Sequence, residues 1–246
     1  MACGLLLQSL TMSVLPSIAF RSPASEAASL RSLGPLPLPK VLLCDLDGTL
    51  VDSMPTLADL ATDVMEETFG TPRILARELY LATCGLPFIK QLEQIFPQDP
   101  RNSGASDIFE GRKPARCSSI GMPADTRRAL ERLRARGVRI AVSSNNGIEN
   151  VAQFASQSEF KFDLVLGFGN GLAKGKPHLD QSARLFKVDR QEMLFVGDSL
   201  HDGEIAEREG VPFVGVAGTF SPERFTLRFP HVPVIRKFSA LPDLFV

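Results

Sequence analysis

Five short apolar runs punctuate the chain after Lys40: VLLC (41–44), RIAVS (139–143), DLVLGF (163–168), MLFVG (193–197) and VPFVGV (211–216). None alternates polar with apolar residues as a half-exposed strand would. Each needs cover on both faces, the condition of parallel strands between two layers of helices. Helical periodicity fills the later intervals. Residues 123–136 begin at Pro123 and stop at Gly137, the start and stop chemistry that suits a helix. Residues 148–156 set Ile148, Val151, Phe154 and Ala155 along one stripe, and residues 178–186 do the same with Leu179, Ala183 and Phe186. Strand, helix, strand repeated in this way predicts an α/β fold with a doubly wound parallel sheet.

One interval breaks the pattern. The first run ends near Asp45 and the second begins only at Arg139, far more chain than one crossover helix requires. Leu57, Leu60, Ala61, Val64 and Met65 predict a helix closed by Gly70, a second stripe runs from Ile74 toward Tyr80, and residues 85–98 suggest a turn and a third short helix. The stretch PQDPRNSGASD (97–107) reads as loop. The expected organisation is a core of residues 41–54 and 119–246, with a small inserted helical domain over 55–118.

Composition narrows the partners. The 246 residues carry a formal net charge of -1, and Lys and Arg are dispersed rather than gathered into a stripe, so no basic field exists for nucleic acid. No stretch reaches the apolar length of a membrane span. Cys3, Cys44, Cys84 and Cys117 are widely spaced with no CxxC pair, which excludes a zinc ribbon or a disulfide framework and fits a reduced, cytoplasmic setting. Residues 1–40 are rich in Ser, Leu and Pro, with Glu26 their only acid. They read as a disordered leader or a targeting segment, and a transit peptide there would make the address organellar.

The ends of the apolar runs carry the chemistry. In an open parallel sheet the carboxyl ends of the strands face one crevice. The first run leaves Asp45 and Asp47, the second Ser143, Ser144, Asn145 and Asn146, the third is followed by KGKP (174–177), and the fourth leaves GDSLHD (197–202). Asp45 and Asp47 stand two residues apart at a strand end and so point the same way. Carboxylates of Asp45 and Asp198 are hard oxygen ligands suited to Mg²⁺. A lysine and a hydroxyl are suited to the oxygens of a phosphoryl group in transfer, and a carboxylate can be its covalent acceptor. Asp45 is then expected to attack phosphorus. Asp47 is expected to protonate the leaving oxygen and later to deprotonate water. Gly48 lets the backbone pass close to the phosphate, and Thr49 holds the turn.

The ordered set DLDGTL, AVSSN, KGKP and GDSLHD resembles the haloacid dehalogenase superfamily of phosphatases over residues 41 to 246, in its phosphoglycolate-phosphatase-like branch. The resemblance implies a Rossmann-like core with a helical cap, Mg²⁺ as cofactor and an aspartyl-phosphate intermediate. It implies Asp45 as nucleophile, Asp47 as acid and base with its backbone carbonyl on the metal, and Asp198 as metal ligand. Asp202 would lie behind these and orient the lysine or a water on the metal, with Asn145 beside it. Ser143 competes with Ser144 for the phosphate-binding hydroxyl, and counting from Ile140 favours Ser144. Lys174 competes with Lys176, and Pro177 after Lys176 resembles the usual Lys-Pro pair and favours Lys176. In the cap, Gly85, Lys90 and Gln91 are candidates for touching the leaving group, with Arg73 and Arg77 behind them.

The expected activity is hydrolysis of a small phosphorylated metabolite by a monomer or homodimer, with no nucleic-acid or membrane partner. A sugar-phosphate mutase would use the same two aspartates. A phospho-acceptor or binding module without turnover is the alternative outside enzymology, and the long insert and Asp47 count against a receiver module. The acid, hydroxyl and lysine motifs each have a bland reading as turns, caps and solvated loops. His178 is expected as a helix cap or rim contact, His201 at the rim, and His231 without a role.

Overall fold

The computed structural model describes residues 34–246. Its six strands are β1 (Val41–Cys44), β2 (Arg139–Gly147), β3 (Leu164–Phe168), β4 (Met193–Gly197), β5 (Phe213–Val216) and β6 (Val234–Ile235). They form one all-parallel sheet in the order β3-β2-β1-β4-β5-β6. From β1 the chain first builds outward on one side and then on the other. The direction therefore switches between β1 and β4, where an open α/β sheet leaves a crevice outside its carboxyl ends.

Alternation along β1 shows why its run has no polar face. Val41 and Leu43 enter one apolar layer while Leu42 and Cys44 enter the other, all fully buried. The second layer is covered by α5 (Ala124–Ala135) and α6 (Ile148–Gln157), and the first by α7 (Lys176–Phe186) and α8 (Leu200–Glu209). Gly137, at a φ of +91°, turns the chain from α5 toward β2. Helices α8 and α9 (Pro222–Arg228) and the short β6 are additions to the expected elements.

Four helices separate β1 from α5: α1 (Met54–Phe69), α2 (Arg73–Ala82), α3 (Phe88–Ile95) and α4 (Asn102–Cys117). Gly70 ends α1 in the left-handed region, with its N–H on the Glu66 carbonyl, the bond of an αL closure. The stretch read as loop is corrected here, because α4 starts at Asn102 and includes its last residues. Gly104, Gly111 and Pro114 speak locally against a helix. Packing overrides them: Ala105, Phe109 and Lys113 follow one buried stripe, and the Phe109 ring stacks on Phe88 at 4.1 Å, with Tyr80 edge-on to Phe88 at 6.0 Å. The apolar layer beneath the sheet continues without a break through Leu57, Leu60 and Tyr80 into these helices.

The expected leader falls outside the described residues up to position 33. Of its remainder, Leu36 forms a parallel bridge with Phe245, its N–H donates to the Leu244 carbonyl at 2.8 Å, and Pro39 is buried. These residues are thus fastened to the C-terminal end of the chain. No helix among the described residues is long and apolar enough to cross a membrane. Cys44, Cys84 and Cys117 are free thiols.

Asp163 ties the entry of β2 to that of β3. Its carboxylate accepts the Ile140 N–H at 2.8 Å and pairs with Arg134 and Arg139, each at 3.3 Å. Partial burial pushes its carboxyl up, but the amide and the two guanidinium groups outweigh that and hold it below the ordinary range. A depressed carboxyl stabilises the fold in full above the unfolded value of about 4 and loses that contribution as pH falls through the lower folded value. Asp163→Ala is expected to lower stability by ~1–2 kcal/mol at pH 7. In urea denaturation the gap from wild type should close as pH falls below that range.

Candidate active site

The loop after β1 is set by backbone hydrogen bonds. The Asp45 N–H donates to the Val196 carbonyl at 2.9 Å, which keeps Asp45 in register with β4, and the Leu46 carbonyl receives the N–H groups of Thr49, Leu50 and Val51. Gly48 holds a φ of +79°, and a Cβ there would stand 2.1 Å from Asp198 Oδ2. No other residue fits. Thr49 Oγ1 donates to Asp45 Oδ2 at 3.3 Å, and Ser53 Oγ to Asp47 Oδ1 at 2.5 Å.

Lys174 reaches this loop and Lys176 does not. The Lys174 ammonium lies 2.5 Å from Asp45 Oδ1 and 2.6 Å from Asp202 Oδ1, with all three side chains at 7% exposure or less. Lys176 stands in the first turn of α7, exposed and paired with Asp180 at 2.6 Å. The expectation that Pro177 marks Lys176 is therefore corrected. Pro177 belongs to the start of α7, where a fixed φ and a missing N–H suit a helix. Gly175, at a φ of +121°, bends the chain just before it and turns Lys174 inward.

Asp198 and Asp202 follow β4. Asp202 closes a reciprocal cap with Ser199 at the start of α8, accepting the Ser199 hydroxyl at 2.7 Å while its other oxygen holds Lys174. Asp198 accepts a hydrogen bond from Thr219, a residue that no sequence motif had marked. One oxygen each from Asp45, Asp198 and Asp202 lies within 4.8 Å of the others. Three buried carboxylates share one buried ammonium, so the cluster carries an excess of negative charge. Burial pushes Asp45 up to about 7 against the pull of Lys174, with Asp202 and Asp47 adding to the rise. Asp198 is driven well above the carboxylate range by burial, then by Asp45 and Asp202. Hard oxygen donors, crowded and under-neutralised, fit a divalent cation such as Mg²⁺. Asp202 has one oxygen on Lys174 and the other on Ser199, whereas Asp45 Oδ2, with only a long contact from Thr49, and Asp198 are better placed to hold it. The Asp47 carboxylate is outside this cluster.

The end of β2 separates its neighbouring hydroxyls. Ser144 lines the cavity and its Oγ accepts the Asn146 N–H at 3.1 Å. Ser143 turns to the opposite face and meets His178 Nδ1 at 3.0 Å. His178 is fully buried, so the rim position expected for it is corrected. Its Nε2–H donates to the Gly167 carbonyl at 3.2 Å, which leaves Nδ1 to accept from Ser143, and burial holds the ring neutral with a pKa of about 4.

Asn145 and Asn146 each join the core to the helical insert. The Asn145 amide donates to the Gly85 carbonyl at 2.9 Å while its oxygen accepts the Lys174 N–H at 3.1 Å. The Asn146 amide donates to Asp47 Oδ2 at 2.6 Å while its oxygen accepts from Lys113. Lys113, on α4, also lies 3.5 Å from Asp47 Oδ2. Its buried place on the stripe of Ala105 and Phe109 was the available signal, hidden because the start of that helix falls in the stretch 97–107 that reads as loop. Burial pushes the Asp47 carboxyl up, but Lys113, Ser53 and Asn146 outweigh it and hold the group below its ordinary value.

The insert roofs the site, leaving a partly open pocket of about 60 Å³. Gly85 lines it at a φ of +96°, where a Cβ would meet Ser199 Oγ at 2.5 Å. Gln91 lines it too, held by the Leu86 carbonyl and the Thr83 hydroxyl. Lys90 is not brought to the site: it is exposed and paired with Glu93 at 2.7 Å. Arg73 and Arg77 are spent on Asp63, Glu66 and Asp59 of α1. His201 is half-buried near Glu204, and its Cβ would meet a side chain placed at Gly85.

Proteins similar to this chain are found both by sequence and by fold. A phosphoglycolate phosphatase of Nitrosospira multiformis is 31% identical over 189 residues, covering 72% of this chain and 82% of its own length. Another, from Rhodobacter capsulatus, is 26% identical over 212 residues and covers 82% and 95%. Among solved structures, a haloacid dehalogenase-like family hydrolase from Streptococcus pneumoniae superposes with a TM-score of 0.69 at 18% identity, covering 82% of this chain and 97% of that one. CbbY from Rhodobacter sphaeroides, in complex with phosphate, superposes at 0.64 and 17%, covering 82% and 96%. The profile of the haloacid dehalogenase-like hydrolases matches residues 42–216, from β1 to the last residue of β5, and the chain belongs to that family of phosphatases.

Proposed function

We propose that the protein is a Mg²⁺-dependent phosphomonoesterase that passes the phosphoryl group of a small metabolite through Asp45. The observation that carries this reading is the Lys174 ammonium buried between Asp45 and Asp202, with Asp198 beside them, at the floor of the pocket under the insert. Mg²⁺, held by Asp45 and Asp198, would draw off negative charge from the phosphoryl oxygens. Lys174 favours the ionised form of Asp45 against the push of burial and holds the carboxylate in place. Asp47 is ionised in the free protein and takes up a proton as the anionic phosphate enters beside it and raises its carboxyl; a carboxylate oxygen of Asp45 then attacks phosphorus, the bond to the ester oxygen breaks, and that oxygen takes the proton from Asp47. Water then attacks the aspartyl phosphate, Asp47 takes its proton, and phosphate leaves with Asp45 restored. Ser144 donates to a phosphoryl oxygen throughout, as the group that replaces solvent there.

The substrate is small. A cavity of about 60 Å³ walled by Tyr80, Phe88 and Phe109 suits a few carbons rather than a protein phosphosite. Two relatives are named phosphoglycolate phosphatase, which makes 2-phosphoglycolate the first compound to assay.

Purified protein is expected to release inorganic phosphate from such esters with Mg²⁺, to lose this with EDTA, and to lose at least ~10³-fold with Asp45→Asn. A hexose 1-phosphate converted to its isomer without phosphate release would overturn the hydrolase reading in favour of a mutase. Lys174→Met should cost ~10²–10³-fold in kcat, whereas Lys176→Met should stay within about twofold, since exposed pairs contribute little. Equal losses would refute the assignment to Lys174. With Asp47→Asn, acid quench and phosphate-labelled gels should show phosphoenzyme persisting while turnover falls.

A further inference from the structure

We infer that Lys113 is a specificity-determining residue that receives a carboxylate on the alcohol side of the substrate, close to the ester oxygen. The inference rests on the phosphomonoesterase reading and names the class of ester within it: phosphates of short hydroxy acids.

Position is the first ground. Asp47 is the group assigned to the ester oxygen, and Lys113 Nζ lies 3.5 Å from Asp47 Oδ2. Whatever the ammonium binds must therefore sit within a few bonds of that oxygen. The carboxylate of a 2-hydroxy acid does so. The second ground is unused hydrogen-bonding capacity. Lys113 is 7% exposed, and a buried ammonium needs partners for its three N–H groups. It has a neutral amide oxygen on Asn146 and the long contact to Asp47, which already accepts from Ser53 and Asn146. Pairing with Asp47 leaves the third N–H free. The third ground is Tyr80, 4% exposed and lining the same cavity, whose hydroxyl makes no hydrogen bond among the described residues. A carboxylate offers acceptors to both.

The other cation of the cavity, Lys174, is held by Asp45 and Asp202. Glu110, one turn before Lys113 on α4, also lines the cavity. It is less enclosed than Lys113, and a cationic leaving group would have to use it instead.

Three esters of similar size decide the matter: 2-phosphoglycolate, ethyl phosphate and O-phosphoethanolamine. Wild-type kcat/KM is expected to favour the first over the second. Lys113→Met should reduce that preference about 10- to 100-fold, the range expected for hydrogen bonds to a charged group, mostly through KM, and Lys113→Arg should restore part of it. Calorimetric titration of Asp45→Asn protein with the same esters, with and without Lys113→Met, should give the same order without turnover. Equal kcat/KM for the first two esters in the wild type, or an unchanged ratio in Lys113→Met, would overturn the inference and leave the phosphomonoesterase reading standing. Preference for phosphoethanolamine would overturn it in favour of Glu110. Failure of wild type to hydrolyse any of the three, or p-nitrophenyl phosphate, would remove both readings.

Discussion

A lysine without access to water, held between two carboxylates, is the constraint around which the rest of the molecule is arranged. Burial alone would strip the Lys174 ammonium of its proton, yet Asp202 and Asp45 hold it charged well above the ordinary lysine range. Such a group is tolerable only where its counter-charges are delivered to within a fraction of an ångström. The fold does this with rigid parts: β1 brings Asp45, the first turn of α8 brings Asp202, and the bend before α7 brings Lys174. The strand order places these at the switch between β1 and β4, so sheet topology and site chemistry have one cause.

The four-helix insert is part of the site rather than an ornament on it. Asn145 ties the Gly85 carbonyl to the Lys174 backbone, and Asn146 ties Lys113 to Asp47. Each amide uses its donor on one side and its acceptor on the other. Neighbouring residues on one strand end thus report the position of the helices to the base of the site, one through the lysine loop and one through the acid. The continuous apolar layer from the sheet to Tyr80 supports the same geometry from behind.

Much of this was legible in the residues. Apolar runs without alternation announced buried parallel strands, and the carboxylates after VLLC and MLFVG announced where the crevice lies. What escaped has physical reasons. Helix α4 carries two glycines and a proline, so local propensity argues against it, and packing against α1, Phe88 and Tyr80 makes it form. With that helix hidden, Lys113 had no address. Lys174 and Lys176 are two residues apart, and the choice between them turns on which residue begins α7, a boundary set by the conformation of Gly175 rather than by composition. Thr219 lies in the loop after β5 and reaches Asp198 at the end of the neighbouring β4, a tertiary pairing that no local pattern encodes.

The turn after β1 has a consequence for how the gene can drift. Position 48 is usually explained by the conformational freedom its backbone demands, and an asparagine meets such a demand in many loops. Here the space that any added carbon would enter is already taken by the Asp198 carboxylate, a residue about 150 positions away in the chain. Codon 48 therefore inherits its constraint from codon 198: as long as the aspartate stands there, no residue with a side chain can enter at 48, however well its backbone suits the turn.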